Sequence, residues 1–207
     1  AFAAIGEVVA EKSGVLNLGV EGMMIVGALA GFATTFETGS PALGVLVAAA
    51  AGTTAALAFG FLTQILLANQ VATGLALTLF CLGLTALAGH AYSGQATPPL
   101  QPIPIPLLSE IPVLGPALFA HDALVYLAVA LALAAGWFLR STRAGLILRA
   151  IGENPDAAHA IGYPVVLARL MALAFGGALA GIGGAYLFLV QTPHWVENMT
   201  SGRGWIA

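Results

Sequence analysis

Long apolar runs without a charged side chain constrain this chain more than any other feature. One covers residues 41–67 and a second covers residues 71–91. A helix needs about 20 apolar residues to cross a bilayer, where it satisfies its own backbone hydrogen bonds. Only 7% of the 207 residues are charged and 59% are hydrophobic, whereas roughly a quarter of the residues in a soluble domain are charged. The sequence therefore predicts an all-α integral membrane protein.

The same criterion predicts five spans, and the basic residues set their direction. The spans cover residues 22–36, 41–67, 71–91, 122–139 and 170–190. Four of the six Lys and Arg residues flank one polar loop: Arg140, Arg143, Arg149 and Arg169. Because cytoplasmic loops carry the excess of basic residues, we expect this loop in the cytoplasm. Alternation then places three loops outside, residues 38–40, the Pro-rich residues 93–121 and the polar residues 191–204, and it places the turn at residues 68–70 inside.

Within the cytoplasmic loop, the segment NPDAAHAIGYP carries helix caps at both ends. Asn154 suits the N-cap and Pro155 the first helical position. Gly162 suits the position after the helix, and Pro164 prevents continuation. We expect a two-turn helix at about 155–161. So short a helix is stable only when packed, so it either rests on the spans of its own chain or docks onto a soluble partner.

The segment SGVLNLGVEGMM places polar residues at the start of an apolar span. Asn17 and Glu21 are four residues apart, so on a helix they share one face. Gly19 and Gly22 permit close approach and loosen the helix. A carboxylate at membrane depth is by default a functional-site hypothesis, and broken helices in transporters present polar groups to a solute. The alternative is a turn at the membrane surface in which Glu21 reaches Lys12 or water.

Small residues four apart in the last span, FGGALAGIGGAYL, predict close helix packing. They are Gly177, Gly181, Gly184 and Ala185. The neighbour is either another helix of the same chain or a helix of a second subunit. In the third span, Thr73 and Thr78 lie beside a glycine and are candidates for lining a path.

Two segments give the chain a family resemblance. GENPDAAHAIG, between two apolar spans, is similar to the coupling loop of ABC importer permeases of the branched-chain amino acid, ribose and nucleoside class. EKSGVLNLGVEGMMIVGALAGF is similar to another signature of that class and is most like its nucleoside and simple-sugar branch. VATGLALTLFCLGLTALAG and MTSGRGWIA also fit. Family members are longer, so we expect residues 1–207 to be one permease domain without its first and last spans.

The resemblance implies a fold, a function and a set of sites. The fold is a polytopic transmembrane bundle with a broken helix near the N-terminus and a short cytoplasmic coupling helix. The function is that of the membrane subunit of an ATP-driven importer for a nucleoside or sugar. The implied path residues are Asn17, Gly19, Glu21 and Gly22, and the candidates Thr73 and Thr78 join them from the sequence pattern. The implied ATPase-coupling residues are Gly152, Glu153, Asn154, Pro155, Ala157, Ala158 and Gly162.

The implied partners are a cytoplasmic ATP-binding subunit, a second permease subunit that is identical or related, a substrate-binding lipoprotein outside, and membrane lipid. The implied location is the bacterial inner membrane. The sequence has no Gly-rich nucleotide loop with Lys, so we expect ATP and Mg²⁺ on the partner ATPase and no cofactor in this chain. We identify no catalytic residue, no spaced metal-ligand set and no nucleic-acid patch.

Three other functions are weighed against the importer. A self-contained channel or secondary transporter for small polar solutes would use the Glu21 segment but would not need the capped cytoplasmic helix. An intramembrane enzyme would need a nucleophile and base, or a metal set, and the sequence offers neither. An inert scaffold would leave the polar segment unexplained.

Overall fold

A computed structural model describes residues 1–101 and 121–207 as a bundle of α-helices. In chain order the helices are α1 (Phe2–Lys12), α2 (Val20–Thr38), α3 (Pro41–Gly60), α4 (Gln70–Gly89), α5 (Ala123–Ser141), α6 (Arg143–Glu153), α7 (Pro155–Ala160) and α8 (Val165–Tyr186). Two of them continue as short π-helices, α3 over Phe61–Ile65 and α8 over Leu187–Gln191, and α4 continues as a 3₁₀ turn over His90–Tyr92.

Five of the described helices are long and apolar enough to cross a membrane, as predicted. They are Val20–Thr38, Pro41–Ile65, Gln70–Tyr92, Ala123–Ser141 and Val165–Gln191. Capping side chains set several of their starts: Asp122 Oδ1 accepts the backbone N–H of Leu124 at 3.0 Å, and Asn69 Oδ1 accepts that of Ala72 at 3.0 Å. The chain is therefore a multi-pass membrane protein. Most of the predicted Pro-rich loop, residues 102–120, lies outside the described residues.

Helix α8 lies at the centre, and its small residues face the other helices of the same chain. A Cβ atom at Gly6 of α1 would lie 2.8 Å from the Cα atom of Gly176. Side chains at Gly177, Gly181 and Gly184 would collide with the backbones of α3 and α2. Ala185 is fully buried. Backbone meets backbone along this stripe, so the close packing that the sequence indicates occurs within the chain.

Helix α6 was not predicted. The side-chain oxygen of Thr142 caps it by accepting the N–H of Gly145 at 3.0 Å, and Leu148 and Ile151 bury its apolar face. Three arginines mark residues 140–149 as a polar loop in the sequence and obscure this apolar periodicity. The helix turns back sharply after α5, since a side chain at Gly145 would strike the carbonyl of Phe138. The predicted cytoplasmic loop is thus mostly helical.

Candidate translocation and coupling site

The predicted break in the helix near the N-terminus is present and covers residues 13–19 between α1 and α2. Ser13 closes α1 by donating its hydroxyl to the carbonyl of Ala10 at 2.6 Å. Gly14 adopts a φ of +83°, a left-handed conformation that side chains other than glycine rarely take. Asn17 Oδ1 then accepts the N–H of Gly19 at 3.1 Å, just before α2 begins. The segment is a built turn whose polar groups bond within the chain.

The expectation that Asn17 and Glu21 share a helix face is wrong. Asn17 precedes the helix, and its side chain points back to α1, where Nδ2 donates to Glu7 Oε2 at 3.4 Å. Its backbone N–H donates to Glu7 Oε1 at 3.3 Å. Because Asn17 lies in the turn and not in the helix, its spacing of four residues from Glu21 does not place the two side chains on one face. Sequence reasoning missed Glu7 as the partner of this turn.

Glu21 is buried, with 1% of its surface exposed, and its bonds differ from both alternatives drawn from the sequence. Oε1 accepts the hydroxyl of Thr200 at 2.5 Å and the N–H of Gly202 at 2.8 Å. Oε2 accepts the N–H of Gly204 at 2.6 Å. The carboxylate therefore holds an irregular backbone segment of its own chain.

That segment, residues 196–204, runs back along α2 as far as Glu21 and does not stay in the outer loop where the sequence predicted it. At its outer end the ring of Trp195 lies 5.9 Å from the ring of Phe32. Thr200 then reaches Glu21, eleven residues earlier on α2, which is about 16 Å along a helix. We refer to residues 196–204 as the re-entrant segment. Non-helical backbone at such depth needs partners from the protein, and Glu21 supplies them.

The other predicted path residues lie between α2 and α4. The hydroxyl of Thr78 donates to the carbonyl of Leu18 at 3.2 Å, and Thr78 is 1% exposed. A Cβ atom at Gly22 would lie 2.9 Å from the Cα atom of Thr78, and one at Gly19 would touch Leu77. Thr73, about one turn nearer the start of α4, is partly buried. Five of the six predicted path residues are thus buried, but only Gly19, Gly22 and Thr78 lie in this tight seam, and Thr73 lies at its edge.

The predicted coupling helix is present as α7, with the predicted caps. Asn154 Oδ1 accepts the N–H of Ala157 at 3.0 Å, and Gly162 follows the helix with a φ of +93°. Its exposed face differs from expectation, because Ala158 is only 3% exposed and packs against the protein itself. Ala157 is exposed, and Ile161 is 75% exposed. The surface free for a partner therefore includes these two residues and excludes Ala158.

The residues that flank α7 contact the corner where α1 ends. Gly152, in the last turn of α6, lies against the carbonyl of Lys12, and a Cβ atom on it would lie 3.0 Å from the N atom of Gly14. Arg169, in α8, donates from Nε to the carbonyl of Ser13 at 3.0 Å. Sequence reasoning used Arg169 only as a basic charge and Gly152 only as part of the coupling loop. Because Ser13 and Arg169 lie 156 positions apart, no local sequence pattern could reveal their contact.

No cluster of three or more metal-ligating side chains occurs in the part of the chain that the structure describes. The family model for the permease component of branched-chain amino acid transport systems matches residues 1–207. No solved structure matches the chain.

Three curated relatives are similar over nearly all of the chain. A protein of Haloferax volcanii named as a putative glucose ABC transporter permease is 41% identical over 210 residues, covering 100% of this chain and 64% of the relative. The guanosine ABC transporter permease of Bacillus subtilis is 33% identical, covering 99% and 68%. The nucleoside ABC transporter permease of Lactococcus lactis is 32% identical, covering 100% and 68%.

The chain thus spans about two thirds of the length of these relatives. Their names agree with the predicted resemblance to the nucleoside and simple-sugar branch. On the family match and these identities, the chain belongs to the permease components of the branched-chain amino acid transport system family.

Proposed function

We propose that this chain is the membrane-spanning part of a permease subunit in an ATP-driven importer for a nucleoside or a sugar. The observation that carries the proposal is α7, a capped two-turn helix that exposes Ala157 and Ile161 and is fixed to the bundle through Ala158. A helix so short has little stability of its own, so its fixed presentation suits a docking contact. A self-contained channel would not need it.

The relatives' names support the solute class. They are named for glucose, guanosine and nucleosides, all polar and uncharged solutes. The seam between α2 and α4 contains neutral polar groups, the hydroxyl of Thr78 and the carbonyl of Leu18, which bond to each other. We propose that a solute passes beside this seam and contacts some of the predicted path residues after α2 and α4 move apart. Glu21 would stay with the re-entrant segment and shape the path without touching the solute.

The proposed partners follow from the same reading. ATP and Mg²⁺ would bind to a cytoplasmic ATPase that grips α7, and a binding protein outside would deliver the solute. A second permease subunit would cover part of the apolar surface that the chain leaves exposed, such as Leu79 at 70% and Leu87 at 80% on α4. Lipid would cover the rest.

The test is uptake by the full-length protein in liposomes. The protein would be purified from its own membrane in mild detergent with any ATPase, second permease subunit and binding protein that accompany it. Uptake of labelled guanosine and labelled glucose would be measured with and without internal ATP. We expect ATP-dependent uptake of one of them. In the variant Ala157→Arg, a long charged side chain would occupy the exposed face of α7, so both the co-purifying ATPase and the uptake should be lost.

Ala68→Arg is the matched control. Ala68 is exposed in the short turn between α3 and α4, which the predicted topology places on the cytoplasmic side. This variant should keep both the ATPase and the uptake. Uptake that proceeds without ATP, or a normal Ala157→Arg variant, would contradict the importer proposal and favour a self-contained carrier.

A further inference from the structure

We propose that residues 12–14, the corner where α1 ends, form a transmission joint that carries movement of α7 to the break before α2. This inference rests on the proposed function, because it requires an ATPase that moves α7. Two contacts flank α7 in the sequence, one on each side, and both meet the chain at this corner.

The first contact comes immediately before α7. Gly152 lies two residues ahead of Asn154, the N-cap of α7, so little chain separates the two. Its backbone packs on the carbonyl of Lys12 and against Gly14 so closely that a methyl group would not fit. A shift of α7 therefore presses on the corner through backbone atoms, which cannot rotate away as a flexible side chain can.

The second contact comes after α7, from the first turns of α8. The guanidinium of Arg169 donates from Nε to the carbonyl of Ser13 at 3.0 Å and from Nη1 to Oε1 of Gln64 at 3.2 Å. This fixed fork ties the corner to the π-helix that ends α3. A lysine ammonium carries a single point charge on a flexible stem and cannot reproduce the two directed bonds.

Only residues 15–19 lie between the corner and α2, and several of their polar groups are bonded elsewhere in the bundle. The N–H of Leu16 donates to Oε1 of Gln70 at 2.9 Å, and the carbonyl of Leu18 accepts the hydroxyl of Thr78. Asn17 bonds to Glu7. A displaced corner therefore strains bonds to the start of α4 and to the seam. This is the place where α2 and α4 must separate if a solute passes.

Two conservative substitutions test the joint in the full-length transporter, assembled with its ATPase in liposomes. Arg169→Lys keeps the charge but loses the fork, and Gly152→Ala adds one methyl group against the carbonyl of Lys12. Arg143→Lys, at an exposed arginine that begins α6, is the control for the first. Gly136→Ala, where a Cβ atom meets nothing within 4 Å, is the control for the second.

ATP hydrolysis and uptake of the solute carried by the wild type would be measured on the same preparation. We expect Arg169→Lys to keep hydrolysis near the wild-type rate while uptake per ATP falls by about tenfold, as when one coupling contact between two sites is lost. Gly152→Ala should lower uptake per ATP to a similar extent. Both controls should keep the wild-type ratio.

Unchanged uptake per ATP in both joint variants would overturn the joint while leaving the importer intact. Hydrolysis and uptake that fall in the same proportion would also overturn it, because the residues would then act in folding or docking. A wild-type protein without ATP-driven uptake would instead overturn the proposed function and the joint with it. The wild-type and variant measurements thus separate the two failures.

Discussion

Among the residues that the structure describes, two irregular segments pack against the helices, and their anchors from distant helices, Arg169 and Glu21, have opposite charge. At residues 13–19 the backbone groups left without a helical partner include carbonyls at the end of α1. Arg169 donates to one of them, the carbonyl of Ser13. In the re-entrant segment the backbone groups left without a helical partner include N–H donors, and Glu21 accepts those of Gly202 and Gly204. Every buried backbone group needs a partner. The sign of each of these two anchors therefore matches the backbone group that it bonds, a carbonyl for Arg169 and N–H groups for Glu21.

The two anchors also differ in depth, which separates their roles. Glu21 is 1% exposed and its three hydrogen-bond partners all belong to the chain. If the carboxylate is removed, water cannot reach these partners to replace it. Arg169 is only partly buried, and water at the end of the bundle can replace a lost donor. The Glu21 anchor should thus matter chiefly for stability. The Arg169 anchor should matter chiefly for movement.

The largest expected effect is that of Glu21→Ala. It leaves two N–H groups and a hydroxyl without an acceptor in a buried place, so we expect a loss of about 3 kcal/mol or more in the free energy of unfolding. Unfolding in mixed micelles titrated with SDS would measure it. Glu197→Ala, at an exposed carboxylate that begins the same turn region, should change little. A stable Glu21→Ala protein with altered solute preference would show instead that the carboxylate faces the solute.

A smaller effect is expected for Thr200→Val, which removes one donor to the carboxylate and keeps the side-chain volume. A hydrogen bond to a charged group contributes about 2 kcal/mol, so the same titration should show a loss of that order. Thr54→Val is the control, because the hydroxyl of Thr54 bonds only to the carbonyl of Ala50 in its own helix and is exposed. Equal losses in the two variants would mean that the carboxylate is not the source of the effect.

The smallest effect on stability is expected for Arg169→Ala, about 1 kcal/mol, because water replaces its donors at the partly exposed corner. The same variant should nevertheless lower uptake per ATP more than Thr200→Val does. A loss of stability as large as that of Glu21→Ala would remove the contrast between the two anchors.

The spans and α7 were predictable because their signals are local. An apolar run reveals a span, and Asn154 with Pro155 and Gly162 marks both ends of a short helix within nine residues. The face that α7 exposes was not predictable, because Ala157 and Ala158 are chemically alike and only the neighbouring helices distinguish them. The sequence did not predict helix α6, because its arginines give the segment the composition of a polar loop.

The anchors were beyond reach for a different reason. Glu21 meets Thr200 across 179 positions, and Arg169 meets Ser13 across 156. A single sequence shows that a carboxylate lies in an apolar region and must have a purpose, but no spacing rule connects it to a partner so far away. The hypothesis that Glu21 lines the path therefore rested on its chemistry and on the family resemblance. The geometry directs that chemistry toward the backbone of the chain.

The stripe of small residues on α8 has a mechanical consequence for such a transporter. Helices α1, α2 and α3 contact α8 through glycine backbones. Few side chains at these contacts would have to change rotamer before one helix slides past another. Sliding of packed helices by small steps is one of the ways in which domains change shape. The stripe thus leaves few side chains on α8 to obstruct a small shear movement in which the helices stay in contact.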